Sequence, residues 1–402
     1  VTVAAPVRSV YRDRQYVRYS VSQAVSILGD QVWYLALSWS ATQASTPAVA
    51  GVVVSISALP RLAFMLLGGP LVDRYGPRRL MIGSDTLRAI VAASAAGVAL
   101  WQPTIGLLVV VALVYGAVDA VFLPANGAMQ PLLLEPSQFS SGAAFREITQ
   151  RAALTVGAPL GGILVATGGL PLACVVDAAT FVFSALALRS VRSRPVERKA
   201  SEPYGRALRE GFHYLATHRV LRASMLVGFL SNVGFVGPMN MGLTLLAVQH
   251  GWGATGAGLL LAGFGVGAAI SAFAMLRLRI RRRVGLAFAI MLIAEGCCLL
   301  FLALSPNLAL AVLVCCAVGV GSGMLGVTAT ALNQHVTDDR FRGRVGSVNS
   351  LANLGITPLA IAATAAAVGA FGVVPTFAGS TAVELAGAAV CLLVPELRRA
   401  SM

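Results

Sequence analysis

The chain has 402 residues, 57% hydrophobic and only 11% charged, with 30 Lys and Arg against 16 Asp and Glu for a net charge of +14. A soluble domain carries about a quarter charged residues, so this chain cannot cover its apolar surface in water, and a water-soluble globule is excluded. The positive balance would suggest nucleic acid in a soluble protein, but the distribution of the arginines along the chain gives a different explanation.

Mainly apolar stretches long enough to cross a ~30 Å hydrocarbon core fall near 17–41, 47–71, 79–101, 104–126, 145–168, 171–190, 220–247, 254–277, 284–304, 307–332, 346–369 and 373–394. The tail before the first carries Arg8, Arg12, Arg14 and Arg18, and the next connection, "ATQASTP", carries no basic residue. The pattern then alternates. Arg74, Arg78 and Arg79 are followed by a bare "QPT", Arg146 and Arg151 by a bare "TGGLP", and the arginine-dense region 189–222 by a bare "VQHGWGAT". Arg277, Arg279, Arg281, Arg282 and Arg283 precede a bare "SPN"; Arg340, Arg342 and Arg344 precede a bare turn at 370–373; Arg398 and Arg399 follow the last span. Basic residues mark the cytoplasmic side of a membrane protein, so an all-α integral membrane protein of twelve transmembrane helices is expected, multi-pass in the bacterial plasma (inner) membrane, with both termini cytoplasmic. The arginines are topology signals beside anionic lipid. The bilayer is the expected partner and nucleic acid is not. The arginine-rich tail enters its span without an A-x-A-like site, so no cleaved leader is expected. All six cysteines fall in apolar runs, which argues against a disulfide framework or a metal site.

The long polar region divides the chain into an N-terminal six-helix half (1–189), a linker (190–219) and a C-terminal six-helix half (220–402). Within the linker, "EPYGRALREGFHYLATHRVL" has helical periodicity, with Leu208, Phe212 and Leu215 on one face. An amphipathic helix on the inner membrane surface is expected there. A weak echo links the halves: "QPLLLEPSQFSSG" after span 4 and "QHVTDDRFRGR" after span 10 both begin at Gln, pass an acidic middle, reach Phe139 or Phe341 and turn at Gly. Each leads into a span containing a proline, Pro159 or Pro358. Repeated halves are a transporter signature, with the substrate site near the midplane.

The stretch "GGPLVDRYGPRRL" between spans 2 and 3 resembles the cytoplasmic loop signature of the major facilitator superfamily, through Gly69, Asp73, Arg74, Gly76, Arg78 and Arg79, with Pro77 at a usually basic position. The resemblance implies the major facilitator fold, two six-helix pseudo-repeats, and a loop that acts as a latch favouring the outward-facing state by holding helices 2 and 11 together. "TVGAPLGGIL" in span 5 is similar to the helix-5 motif of antiporters among drug exporters, through Gly157, Pro159, Gly161 and Gly162, with the proline displaced by one or the first Gly replaced by Ala158. Small residues there allow close helix approach. Span 4, "LVYGAVDAVFLPANGAM", has no arginine, so coupling through the helix-4 arginine common in proton-coupled members is not available. "SILGDQVW", "VVDAATFVFSALAL", "LREGFHYLATHRVLRA" and "FRGRVGSV" resemble bacterial twelve-span drug/proton antiporters of the macrolide-efflux and enterobactin-exporter type.

Ionisable residues inside spans are costly and therefore site candidates. Asp30 and Arg61, on consecutive helices at similar depth, are expected to pair and to carry proton coupling. Asp85, Arg88 and Asp119 lie closer to the 72–79 loop and are expected to form an inner charge network supporting the latch. Asp177, Glu295 and Glu384 fall on spans 6, 9 and 12, which the resemblance places at the periphery, and a structural role is expected for them. Gln23, Gln31, Trp33, Tyr34, Tyr115, Asn232, Phe235, Met239, Asn240, Asn333 and Asn353 are the candidate substrate-cavity residues, since aromatics, Met and scattered amides suit adaptable binding of apolar molecules. The reading is a proton-coupled exporter of amphipathic small molecules acting by alternating access, monomeric, with no cofactor and the proton gradient as its energy source. A dedicated siderophore or lipid exporter and an uncoupled facilitator are the alternatives. An enzyme is disfavoured, since no H-E-x-x-H or G-x-S-x-G occurs and the four histidines sit near loops.

Overall fold

A computed structural model describes residues 10–101, 104–192, 204–277 and 283–401. Arg8, Arg194, Arg198, Lys199, Arg279, Arg281 and Arg282 lie outside these residues, and the side chains at 65–69 and 204–208, which include Gly69, Arg206 and Leu208, lie outside the description too. The described chain is helical throughout: α1 (Arg14–Ala44), α2 (Pro47–Ser55), α3 (Ala58–Tyr75), α4 (Pro77–Trp101), α5 (Ile105–Leu133), α6 (Phe139–Ser190), α7 (Tyr204–Thr217), α8 (Arg219–Gly237), α9 (Leu243–Gln249), α10 (Gly253–Arg277), α11 (Val284–Ala303), α12 (Leu308–Val336), α13 (Arg342–Phe371), α14 (Val373–Leu393) and α15 (Pro395–Arg398). Among the described residues nine helical segments are long and apolar enough to cross a membrane. One of them, Ser141–Ser190, spans 50 residues. It holds two arms that meet at Gly169, whose φ of 64° and ψ of −161° only glycine adopts readily. The long helices α1 and α4 are not among the nine. They carry Asp30, Asp85 and Arg88.

Two other helix breaks have local causes. Pro60 lacks an N–H and its ring crowds the carbonyl four residues back, that of Ile56. The second span accordingly parts into α2 and α3 at Ile56–Ser57, where the Leu59 N–H donates instead to the Ile56 carbonyl at 3.1 Å. In the seventh span Pro238 opens a π-helical turn, Pro238–Gly242, between α8 and α9, a widening that relieves the same clash.

The chain forms two compact units, Val1–Ala44 with Ile56–Lys199, and Ser45–Ser55 with Ala200–Met402. In the first, α1 and α4 pack on α6, and α3 and α4 pack on α5. In the second, α8 packs on α13 and α14, α11 on α12 and α14, and α10 on α12. Shifted by six spans, these are the same pairings, which is the pseudo-repeat of the major facilitator fold. The echo in the sequence has a matching conformation: a short 3₁₀ turn at Pro136–Gln138 precedes α6 and another at Asp339–Phe341 precedes α13. The α2 segment is fastened to α13 by Ser55 Oγ donating to the Pro358 carbonyl at 2.9 Å and by the close approach of Gly51 to Ala365.

The linker helix α7 packs on α13. Its buried stripe is Gly211, Tyr214 and Leu215, packed on α13, while Phe212 is 54% exposed. Gly211 decides this, because a Cβ there would stand 2.7 Å from the Arg344 carbonyl oxygen. The Tyr214 ring then stacks on Phe341 at 4.3 Å and on His218 at 4.0 Å, and Glu210 pairs with Arg344 at 2.7 Å. The helix therefore docks on protein along one edge and leaves Phe212 on its exposed side.

Candidate functional site

Inside the first unit four helices bring charge to one point and a fifth, α6, packs polar and aromatic groups against it. Arg88 of α4 is 1% exposed. Its Nη2 donates to Asp85 Oδ1 at 2.9 Å, and its Nη1 reaches Asp119 Oδ1 of α5 at 3.3 Å and Asp30 Oδ1 of α1 at 3.4 Å. Asp119 also accepts from Arg61 Nη2 of α3, and Asp85 accepts from Ser184 Oγ of α6 at 2.7 Å. The guanidinium is stacked between Phe122 and Phe181, with ring centroids 4.2 and 4.5 Å from Cζ. Cation–π attraction holds such a group where water is excluded, and a planar guanidinium offers several donors in a fixed fork that an ammonium does not.

This geometry corrects the expected pairing. Asp30 is bonded to Arg88 and Arg61 to Asp119, so the anticipated Asp30–Arg61 pair is replaced by a chain, Asp30–Arg88–Asp119–Arg61, with Asp85 held at its centre. Two groups that the sequence reading kept apart are one network. Exposure grades along it, from Asp85 at 0% through Asp119 at 21% to Asp30 at 36%.

Asp177 belongs to this neighbourhood and not to a periphery. It is fully buried and accepts from Tyr115 Oη at 2.8 Å, and its Oδ1 lies 2.6 Å from where a Cβ on Gly29 would stand. Tyr115 packs between Trp33 and Phe181, with centroids 5.2 and 5.8 Å away. Phe181 and Ser184, the residues missed in the sequence, stand at i+4 and i+7 from Asp177 on one face of a helix, and that spacing was the available signal.

The remaining expected residues of the first unit fall into three groups. Gly157 and Gly161 are contact points for α1: a Cβ on the first would meet Gln31 Cβ at 2.8 Å, and on the second Val32 Cα at 3.0 Å. Pro159 lies inside α6 and Gly162 is buried. Gln23 is buried with its Nε2 unpartnered, and Tyr34 Oη is likewise buried without a partner. In the loop, Gly76 has φ +79°, a conformation L side chains rarely adopt, and closes α3 by donating to the Val72 carbonyl at 2.9 Å. Arg78 donates to the carbonyls of Leu188 at 3.0 Å and Arg189 at 2.5 Å, placing a cation at the C-terminus of α6. Asp73, Arg74 and Arg79 are exposed.

The second unit contains a cavity of about 330 Å³ between α8, α11, α12 and α13. Asn232, Asn333, Asn349 and Asn353 line it together with Phe235 and Phe288. Asn232 Nδ2 donates to Asn353 Oδ1 at 2.8 Å, and Ser224 Oγ to Asn333 Oδ1 at 3.1 Å. Among the described residues no charged side chain lines the cavity, so these offer neutral donors and acceptors on an apolar wall. Met239 is buried in the π-helical turn and Asn240 donates to the Val236 carbonyl at 2.7 Å, and neither belongs to the lining. Among the described residues no three His, Cys, Asp or Glu gather as metal ligands. Outside the bundle, Arg219 donates to Glu396 at 2.8 Å and holds its carboxyl below the ordinary glutamate range.

Comparisons with known proteins agree with this architecture. The chain is 26% identical over 388 residues to the multidrug efflux pump Tap of Mycobacterium tuberculosis, covering 92% of this chain and 91% of that protein. It is 24% identical over 398 residues to macrolide efflux protein A of Streptococcus pyogenes, covering 94% and 95%. Among solved structures, the nucleoside transporter NupG superposes with a TM-score of 0.72 at 12% identity, covering 95% of this chain and 99% of that one. A bacterial homologue of the human lysosomal transporter Spinster also superposes with a TM-score of 0.72, at 13% identity over 99% and 100% of the two chains. The family profile of the Major Facilitator Superfamily matches residues 19–362. With its helix pairings repeated across two units, the chain is a multi-pass membrane transporter and belongs to the Major Facilitator Superfamily.

Proposed function

We propose that this transporter exports amphipathic small molecules from the bacterial cytoplasm in exchange for protons, from an inner-membrane position with both termini inside. The observation that carries the reading is a charge imbalance in the first unit. Asp30, Asp85 and Asp119 share two arginines, Arg61 and Arg88. With both arginines always charged, three ionised aspartates leave one negative charge in excess in a low-dielectric site, and one proton neutralises it. Asp30 is the acceptor best placed to exchange with water, being the most exposed of the three and the one at the longest distance from Arg88. A proton on Asp30 frees Arg88 Nη1 for Asp119, and its departure restores the three-way contact. The two arrangements differ in what α1 is bonded to, which is the kind of bistable contact a rocking transporter needs.

The Tap and macrolide efflux relatives support an export direction and a substrate that is organic and partly apolar. The uncharged, amide-lined cavity of the second unit suits such molecules, since neutral hydrogen-bonding groups on an apolar wall impose little charge selection. The loop around Gly76 is read as the conformational latch of the family, with Arg78 anchoring it to α6.

The test uses purified protein in proteoliposomes with an imposed pH gradient and either ethidium or erythromycin as the transported probe. Wild type moves the probe in proportion to the gradient. Asp30→Asn retains probe binding and loses the response to the gradient. Equal gradient-driven transport by that variant refutes Asp30 as the proton carrier.

A further inference from the structure

The second unit holds two acids that the first unit's network does not explain. Glu295 of α11 is 2% exposed and Glu384 of α14 is 0% exposed. Glu295 Oε2 and both oxygens of Glu384 are buried with no hydrogen bond of good geometry, the Ser231 hydroxyl of α8 being the polar group beside Glu384. The two helices are stitched between these residues: Thr381 Oγ1, one turn before Glu384, donates to the Gly296 carbonyl at 2.8 Å, and a Cβ on Gly296 would stand 3.2 Å from Glu384 Cβ. Glu384 Oε1 points at α8, lying 3.0 Å from where a Cβ on Gly234 would be. One turn earlier on α8, Ser231 lines the amide-rich cavity.

Among the described residues no cation serves this pair. Arg222 of α8 is nine residues from Ser231, Arg283 twelve from Glu295 and Arg398 fourteen from Glu384, or more than about 13 Å along the helix axes at ~1.5 Å per residue. Arg219 is held by Glu396, Arg344 by Glu210, and Arg342 donates to the Gln334 carbonyl. The other titratable groups on the packed helices are His335 and Cys315 and Cys316 of α12, Cys297 and Cys298 of α11 and Cys391 of α14, and none of them supplies a fixed positive charge. Two neighbouring carboxylates on packed helices, desolvated and without a counter-ion among the described residues, cannot both readily stay ionised, and several kcal/mol of desolvation per charge would otherwise have to be offset. A metal ion is not the natural occupant, since no third ligand of the His, Cys, Asp or Glu type joins them among the described residues.

We propose that Glu384, with Glu295 beside it, is a second proton-binding site, private to the second unit and opening toward the amide-lined cavity along the Ser231 face of α8. Loading is a single proton transfer: hydronium in the cavity gives its proton to a carboxylate oxygen, an O–H bond forms, and water is left. The use of this site in transport rests on the proton-exchange reading above, but its occupancy does not.

Infrared spectroscopy of the full chain in lipid nanodiscs at neutral pH tests it with protons as the only ligand. The difference spectrum of wild type minus E384Q is expected to contain the carbonyl stretch of a protonated carboxyl, and E295Q is expected to shift that band, because the two acids share an environment. An absence of the band in both difference spectra, with carboxylate stretches in its place, overturns the proposal. A band abolished by sodium ions at constant pH also overturns it, in favour of a monovalent-cation site. Because glutamine is isosteric with glutamic acid, the variants keep the packing; an unchanged thermal midpoint for E384Q alongside loss of the band adds support. The same spectra recorded on Asp30→Asn separate the two proposals: the Glu384 band persists there whether or not Asp30 carries the transported proton.

Discussion

Removing the central guanidinium is the most discriminating perturbation of the first unit. In Arg88→Met the apolar stem is kept and the charge is lost, leaving Asp85 with its bond from Ser184 and depriving Asp30 of its guanidinium partner. Breaking a buried pair by deleting one partner costs about 3–5 kcal/mol, and the lost stacking on Phe122 and Phe181 adds roughly 1 kcal/mol. For a domain of 150–250 residues each kcal/mol lowers the midpoint by about 2–4 °C, so a fall of roughly 10 °C or more is expected in a fluorescence-monitored thermal unfolding of the detergent-solubilised protein. Arg88→Lys should lie between, since an ammonium keeps the charge and loses the fork. The decisive measurement is the double variant Arg88→Met with Asp85→Asn. If the cost is that of an orphaned carboxylate, removing the carboxylate should recover most of it, giving a coupling energy of about 2–3 kcal/mol. Additive losses in the double variant, or an Arg88→Met protein as stable as wild type, would refute the network.

Other outcomes follow from the packing. Gly29→Ala should impair folding and expression, because its Cβ would come 2.0 Å from Thr180 Oγ1; pairing it with Thr180→Ala should recover part of the loss, read as the monodisperse fraction on size exclusion. Gly161→Val should destabilise the α1–α6 contact by about 1–3 kcal/mol through overpacking, measured by the same thermal assay. Tyr214→Ala should undock α7 from α13 by removing the stacks on Phe341 and His218, and trypsin should then cleave faster at Arg209. For the exposed Arg219–Glu396 pair the sign is fixed by the depressed carboxyl: its contribution is present above the ordinary glutamate range and disappears as pH falls through the lowered value. Glu396→Gln should therefore change stability only slightly at neutral pH, and less still in high salt.

The amino-acid sequence by itself determined the solvent, the element type and the bookkeeping of helices, because a bilayer tolerates few charges and every connector without arginine stands out against those that carry several. It also exposed the loop signature and the small residues of span 5, which act locally or through a periodicity visible along the chain. The glycine-closed turn at Gly76 and the 3₁₀ turns behind the two echoes are of this kind. Which charges meet was decided only by tertiary structure. Asp30 and Arg61 lie on consecutive helices at similar depth, but depth says nothing of azimuth, and α1 turns Asp30 toward α4 while α3 turns Arg61 toward α5. Likewise Asp177, Glu295 and Glu384 could be given a helix but not a neighbour, and the identity of a buried acid's neighbours is what separates a structural carboxyl from a carrier of protons.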